Sequence, residues 1–459
     1  MISTSIEISF PEEANVMLSV SQVESSLKHI FEERADVLAR KTGCIKRHRK
    51  FSGADLLQIL VFGWLSHPDT SLEQLSSVAM LREVEVSDTA IHKRFTPECA
   101  HFLHAILEEM TGVVVEADRE VPVELLSRFE AVVLEDSSTV ALPNELATCW
   151  QGCGGAPGEG HAAIKLHVRW ELKRGSLHGP KLTHGRTSDR SSPFKEEALP
   201  AGSLYIADLG YLDWGSIAAR RAAGSYTLTR AQSKTRYWTP EGKPLQLDPL
   251  LPQQVGETKE LWVQVADSHR YLMRLLIIRV PQEVAQRRRA DLEAEALRRN
   301  RPIRQRAWEL ADWTILLTDA PAHLLSLQEA LVLLRERWQM EMLYKLWKQY
   351  GRIDEWHTAN RWRILCELYA KLIGLLLQHW LILLFAWQDE QRSLVKLAQV
   401  IRDSAGSLLE ALAGSRSLCS VLQTIQCRMR SGCRMNKRRK HPNAAQLLQR
   451  GSTDWALSP

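Results

Sequence analysis

Asp136 and Asp208 each follow a short apolar run, Ala131-Val-Val-Leu134 and Ser203-Leu-Tyr-Ile-Ala207, and Glu341 lies in a late stretch of helical periodicity. The spacing predicts two buried strands that end in an aspartate at their C-terminal tips, with a glutamate added from a helix. Three such carboxylates are the pieces needed to hold two divalent metals about 3.5–4 Å apart. Oxygen donors suit Mg²⁺, which keeps several waters and shares its remaining positions with substrate phosphate. In a site of that kind one metal makes the attacking hydroxyl more acidic and the other stabilises the leaving oxyanion of an in-line displacement. Taken singly, each aspartate also reads as an ordinary turn or helix cap. Glu135 and Asp213 are rival carboxylates. Glu135 is expected on the opposite face of its strand from Asp136, Asp213 lies beyond the Gly210 turn, and spacing excludes neither.

The run Leu331–Lys348 carries the most information. At about 100° per residue, Arg337, Glu341, Tyr344 and Lys348 fall on one stripe of a helix. Leu333, Leu334, Trp338, Leu343 and Trp347 flank it, so the polar stripe borders an apolar surface. A carboxylate held between Arg and Lys on a half-buried helix is costly without a partner or a task. The plain alternative is an exposed Arg337–Glu341 pair worth a few tenths of a kcal/mol.

The elements that must position these residues are mixed. Residues 1–125 read as helical: Leu56–Leu65 is apolar, Thr70-Ser-Leu-Glu-Gln-Leu75 resembles a capped helix start, and a second start falls at Val86-Ser-Asp88. The helix after that start carries Ile91, His92, Lys93, Arg94 and Phe95, which resembles the basic second member of a helix-turn-helix. A plain bundle with Lys93 and Arg94 solvated fits equally well. From Ala131 onward strands dominate: Ala162–Leu172 alternates with period two, and further strand-like runs fall at Lys181–Thr183, Tyr226–Thr229, Leu261–Val265, Tyr271–Val280 and Trp313–Leu317. A Gly-rich turn is expected from Gly152 to Gly160. A basic helical segment, Arg287–Arg306, lies between the last two strands, and helices return from Leu324. Gln426–Lys440 holds seven basic residues and no acid.

With 459 residues, 45% apolar and 25% charged, the chain can bury real cores in two to four domains; it is neither disordered nor a small disulfide scaffold. Lys plus Arg exceeds Asp plus Glu by only 59 to 54, so net charge alone identifies no anionic partner. The eight cysteines form no C-x-x-C pair, which argues for reduced thiols of a cytosolic protein and against a zinc site. No secretory signal is read in MISTSIEISFPEEANV. The one membrane candidate, Leu372–Trp387, is interrupted by Gln378 and His379 and reads better as a buried helix.

The run Arg337-Trp-Gln-Met-Glu341-Met-Leu-Tyr-Lys-Leu-Trp-Lys348 resembles the signature helix of DDE transposases of bacterial insertion sequences. It is similar to the branch with Tyr-x2-Arg-x3-Glu-x6-Lys around the catalytic Glu. Leu-Glu-Asp136-Ser-Ser-Thr and Ala-Asp208-Leu-Gly-Tyr resemble that family's first and second catalytic motifs, and Thr318-Asp-Ala-Pro321 its strand end. The resemblance spans roughly residues 40–400. Leu334 stands where the branch has Tyr, and Leu209 where a basic residue is common; the departures fit reduced end-binding, compensation by the phenol of Tyr344 on the same stripe, or a copy decaying after insertion.

The resemblance implies an α/β fold. A ribonuclease H-like core, a mixed sheet flanked by helices, is interrupted by a β-rich insertion and bracketed by helical terminal regions. The implied segments are 1–125 (helical, DNA-binding), 126–224 (core), 225–319 (insertion with the basic helix), 320–394 (helical remainder of the core) and 395–459 (helical, with the basic tail). By the same resemblance Asp136, Asp208 and Glu341 bind two Mg²⁺, with Mn²⁺ a substitute, and catalyse cleavage at the element's ends and strand transfer into target DNA. Arg337, Lys348 and Tyr344 contact end phosphates, Lys93 and Arg94 contact DNA from the N-terminal region, and Trp238 or Trp262 supports an extruded base. The implied partners are double-stranded DNA (terminal inverted repeats and target) and a second copy of the chain on DNA, the dimer contact falling on helices at 395–425. No membrane is involved, and the setting is the bacterial cytoplasm at the nucleoid. The other classes to weigh are an inactive copy acting only as a DNA-binding protein and a host nuclease without strand transfer.

Overall fold

The structure is a computed structural model that describes residues 16–17, 19–47, 52–153, 161–266, 270–298, 300–389 and 391–435. The Gly-rich turn at 154–160 and the basic run Lys437–Lys440 therefore lie outside the described residues. The chain gathers into two compact units. One holds the described residues up to Arg119, Arg174–Lys181 and Leu346–Arg434, and the other holds Glu120–Lys173 and Leu182–Lys345.

In the first unit, helices from both ends of the chain share one core. Arg361–Ala386 is 26 residues long and apolar enough to cross a membrane, but 94% of its most apolar stretch is buried within the protein. It packs against Gly53–Ser66 and Pro97–Thr111. The polar interruptions are buried too, with His379 Nε2 lying 2.9 Å from the Gly175 carbonyl. The expected capped start is present: Ser71 and Gln74 form a reciprocal capping box at the head of Leu72–Met80. The second start is present as well, with Ser87 accepting from the Ala90 N–H, but that helix covers only Asp88–His92. The residue before a proline is pushed out of the helical region; Thr96 adopts φ −120°, ψ 168°, caps the next helix, and Pro97 takes that helix's first turn. Lys93 and Arg94 thus sit in a turn, and the continuous basic helix expected through Phe95 does not form.

The second unit is built on one mixed sheet. Its strands are β1 (Val132–Leu142), β2 (Ala162–Glu171), β3 (Leu204–Ala207), β4 (Tyr226–Arg230), β5 (Tyr237–Trp238), β6 (Pro244–Leu245), β7 (Thr258–Val265), β8 (Tyr271–Arg279) and β9 (Trp313–Thr318). Across the sheet they run β2-β1-β3-β4-β9-β8-β7-β5-β6. The pairs β1–β3 and β3–β4 are parallel and the remainder antiparallel. Leu177–His184, the strand expected near Lys181–Thr183, passes from the first unit into the second. The helices are α1 (Trp214–Ala222), α2 (Gln282–Arg298), α3 (Leu327–Glu336) and α4 (Trp338–Lys345). Short β3 is apolar throughout and buried on both faces, as parallel strands require. A mixed sheet with helices flanking it is the ribonuclease H-like architecture.

Of the strands read as an insertion over 225–319, β4 pairs in parallel with β3 and the others continue this sheet. β9 pairs with β4 and β8 with β9, so the extension grows from the edge of the parallel core. Period-two alternation aims Val263 and Val265, Met273, Leu275 and Ile277, and Ile315 and Leu317 into one apolar cluster. Ser326 and Glu329 then form a capping box that starts α3, and Glu329 also pairs with Arg128 at 2.8 Å.

Arg274 on β8 ties the extension to the approach of that helix. It is 1% exposed, lies 2.6 Å from Glu260 Oε1, and donates to the Ala320 and Leu325 carbonyls at 2.7 and 2.8 Å. Removing it strands two buried carbonyls, while Glu260, 39% exposed, stays in reach of water. Arg274→Met should therefore lower unfolding stability by about 2–4 kcal/mol, read as a drop in the denaturant midpoint at unchanged slope.

Candidate active site

Register places the two aspartates. The last residues paired between β1 and β3 are Glu135 and Ala207. The next residues, Asp136 and Asp208, therefore leave the parallel pair side by side, one strand spacing (about 4.8 Å) apart. Asp208 ends its strand as expected and enters the short helical turn Leu209–Tyr211. Asp136 does not end its strand. β1 continues six residues further because β2 pairs with it along its length, Asp136 facing Val168 and Leu142 facing Ala162. The polar run Ser137-Ser-Thr139 was read as a stop; cross-strand pairing overrides it.

The rivals are occupied elsewhere. Glu135 points to the opposite face and is 1% exposed, 2.6 Å from Arg169 Nε. Arg169 in turn donates to the Phe194 carbonyl at 2.6 Å. Asp213 caps α1, accepting from the Ser216 N–H at 3.0 Å, and pairs with Lys195 at 3.4 Å. Both are structural groups.

Glu341 and Arg337 come from the helical run, which breaks for one residue at Arg337 between α3 and α4 with its backbone still helical. The guanidinium lies 2.8 Å from Glu341 Oε1 and 3.7 Å from Asp136 Oδ2, bridging helix and sheet. Glu341 is the more solvent-accessible end, its side chain 49% exposed against 18% for Asp136. Burial pushes the Asp136 carboxyl up to about 6, and the negative charges of Asp208 and Asp189 add to the shift. The Ser137 N–H, 2.9 Å from Asp136 Oδ1, and Arg337 act against it. Among the described residues no hydrogen bond or ion pair engages the Asp208 carboxylate, and no group of three His, Cys, Asp or Glu side chains is arranged to enclose a metal ion.

Tyr344 differs from its expected role. It is buried, and its hydroxyl lies 2.9 Å from the Asp136 carbonyl and 3.2 Å from the Leu166 carbonyl. The phenol pins α4 to β1 and β2 and does not face solvent, where a phosphate would be. Leu334, at the signature Tyr position, is 7% exposed and packs into the core. Lys348, half-buried, lies in the π-helical turn Leu346–Tyr350 of the first unit, as do Lys93 and Arg94 in their turn. Of the eight residues singled out from the sequence, the second unit holds Asp136, Asp208, Glu341, Arg337 and Tyr344.

Two further groups border the site. Arg230 closes β4 within electrostatic reach of Asp208, Glu341 and Arg337; burial and Arg337 lower its pKa while the two acids oppose that shift. A basic residue ending a parallel strand next to Asp208's strand was the available signal, but the run was read only to Thr229. Asp189, in a loop with no periodicity, gave no signal.

The segment 127–377 matches the family description "Transposase DDE domain". The chain is similar to the transposase for insertion sequence element IS231F of Bacillus thuringiensis subsp. israelensis, 26% identical over 379 residues that cover 77% of this chain and 78% of that one. It is similar to the transposase for IS1151 of Clostridium perfringens, 23% identical over 77% and 79% of the two chains. It is also similar to the transposase for IS421 of Escherichia coli, 26% identical over 75% and 91%.

Beside Arg337, Glu336 is 1% exposed; only Gln339 donates to it, and its Oε1 has no partner among the described residues. Burial pushes this carboxyl up to about 7. A carboxyl with a raised folded-state pKa costs nothing below its unfolded value near 4.5, and costs more as pH climbs from there to about 7. Glu336→Gln should remove up to about 3 kcal/mol of stability loss across that window. The difference between urea midpoints at pH 5 and pH 8 should be smaller in the variant than in the parent, the remainder coming from other raised carboxyls such as Asp136.

Proposed function

This chain belongs to the transposase DDE-domain family and is a DNA transposase, and we propose that Asp136, Asp208 and Glu341 are its catalytic carboxylates, acting with two Mg²⁺ or Mn²⁺ ions at the ends of an insertion sequence. The register that sets Asp136 beside Asp208, with Glu341 linked to Asp136 through Arg337, carries this reading.

Family members act with divalent metal ions, and the donor set here suits one: hard carboxylate oxygens, two of them on adjacent strands. Bound there, such ions supply Lewis acidity toward the attacking and leaving oxygens. The chain's own residues hold that arrangement. Tyr344 fixes the Asp136 backbone, and the buried Glu135–Arg169 pair fixes the opposite face of the same strand. Arg337 neutralises Asp136 and Glu341, and its fork of donors is suited to gripping an end phosphate. In the reaction water attacks the phosphodiester at the element's end, breaking the P–O3′ bond to leave a 5′-phosphate and a 3′-hydroxyl; that hydroxyl then attacks a target phosphodiester, forming a new P–O3′ bond as the target's own 3′-oxygen leaves and takes up the proton.

DNA grip falls to exposed cations. On α2, Arg288 is spent on the Ala311 and Trp313 carbonyls and Arg289 on Asp312, while Arg287 and Arg298 face solvent. Lys93 and exposed arginines of this kind would neutralise phosphates of the terminal repeats and target, with half-buried Lys348 a further contact. Trp262, 42% exposed, is the better candidate for a base-stacking surface than Trp238, whose ring lies under Arg270. Cutting and joining two ends together calls for two copies on DNA. The helices at 395–425 bury Leu397, Ile401, Leu408, Leu409 and Leu422 inside their own unit, so any dimer contact there would use their polar faces.

Asp136→Asn, Asp208→Asn and Glu341→Gln should each lower end cleavage roughly thousandfold or more, since each removes several kcal/mol of metal-dependent stabilisation, while binding to end DNA in a gel persists. Near-normal cleavage by any one would show that residue misassigned. Arg337→Ala and Lys348→Ala should weaken end complexes and reduce the dependence of log affinity on log salt by about one unit each. Lys348→Ala should keep the metal requirement of the parent, whereas Arg337→Ala, which frees Asp136 and Glu341 of their cation, should lower it.

A further inference from the structure

Asp189 lies outside the three proposed carboxylates, yet it touches the neighbours of two of them. Its Oδ1 accepts from Ser137 Oγ at 2.7 Å, and the Ser137 N–H donates to Asp136 Oδ1 at 2.9 Å. Its Oδ2 faces Gly210, two residues after Asp208; a Cβ built on that glycine would come within 2.8 Å of it. Lys165 Nζ holds the acid from a third side, 3.1 Å from Oδ1 and 2.6 Å from the Thr187 carbonyl. The side chains of Lys165 and Asp189 are only 12% and 31% exposed. Asp189 thus stands between the segment that follows Asp136 and the segment that follows Asp208, anchored so that it cannot swing away.

We propose that Asp189 is a positioning residue, a strut that sets the spacing of the Asp136 and Asp208 carboxylates through Ser137 and Gly210. The proposal rests on the reading of those two acids as metal ligands. The two strands stop pairing at Glu135 and Ala207, so their ladder fixes only where Asp136 and Asp208 begin. Beyond that point the separation of the carboxylates is set by what packs around the two exits. Ser137, Asp189 and Gly210 form that contact, and Lys165 balances the charge Asp189 brings beside Asp136. Groups that orient metal ligands from behind are commonly worth 10–100-fold in metal affinity. Gly210 serves by being small: any side chain there would press on Asp189.

The test is direct Mn²⁺ binding to the full-length protein without DNA, followed by the electron paramagnetic resonance of free Mn²⁺, alongside thermal unfolding. Asp189→Ala and Ser137→Ala should each weaken Mn²⁺ at least about 10-fold with melting temperatures close to the parent's. The double variant should lose no more than the weaker-binding single one, because both break one connection. In cleavage assays, raised Mn²⁺ should restore much of the activity of either single variant. Parent-like Mn²⁺ affinity in both single variants, or losses that simply add, would overturn the strut. Should Asp189→Ala fail to fold, Ser137→Ala decides the question alone. Asp136→Asn separates the two levels: if it also leaves Mn²⁺ affinity unchanged, the metal-site reading fails and takes the strut with it.

Discussion

Two carboxylates brought to the ends of neighbouring strands repel one another. The second unit is arranged around that cost. Burial, with the charge of Asp208 adding to it, makes Asp136 hold its proton more tightly than an ordinary aspartate, while the Ser137 N–H and the Arg337 guanidinium reaching across from the helical run favour its charged form. Arg337 gathers Glu341 by the same contact, so a single cation joins one sheet carboxylate to one helix carboxylate. On the proposed reading, a site for doubly charged ions needs surplus negative charge, and Arg337 lets the protein fold with that surplus in place.

Everything else on the sheet serves to keep those strand ends where they are. The outward face of β1 is locked by Glu135 and Arg169, and its backbone is held by Tyr344. The extension from β9 to β6 adds area to the same sheet, and Arg274 fastens it to the loop that leads into α3.

Much of this was legible in the sequence. Period-two alternation located β2, apolar and strand-like runs located at least part of β1, β3, β4, β7, β8 and β9, apolar runs located the buried helices Gly53–Ser66 and Arg361–Ala386, and the spacing Arg337–Glu341 survived the break in the helical run because the backbone there stays helical. The alternation that set Glu135 opposite Asp136 was also readable. What failed were judgements about where elements stop. β1 runs past Asp136 because β2, thirty residues later, supplies partners for a polar segment, a long-range fact that local propensity does not contain. The turn at Lys93 and Arg94 follows from Thr96-Pro97, a signal present but passed over. Tyr344 lay on the predicted polar stripe, yet a phenol can also be buried when its hydroxyl finds a carbonyl, and two carbonyls were waiting. Asp189 and Arg230 join the site only through the fold.

The central claim is that Asp136 and Asp208 form one divalent-cation site from which Arg337 must withdraw. A crystal structure with Mn²⁺ and DNA carrying a terminal repeat, read by anomalous scattering at the manganese edge, tests it most directly. An anomalous peak shared by the Asp136 and Asp208 carboxylates, with Arg337 turned from Asp136 to a phosphate, is the predicted result. A peak elsewhere, or an Arg337 still seated between Asp136 and Glu341 with manganese bound, would contradict it.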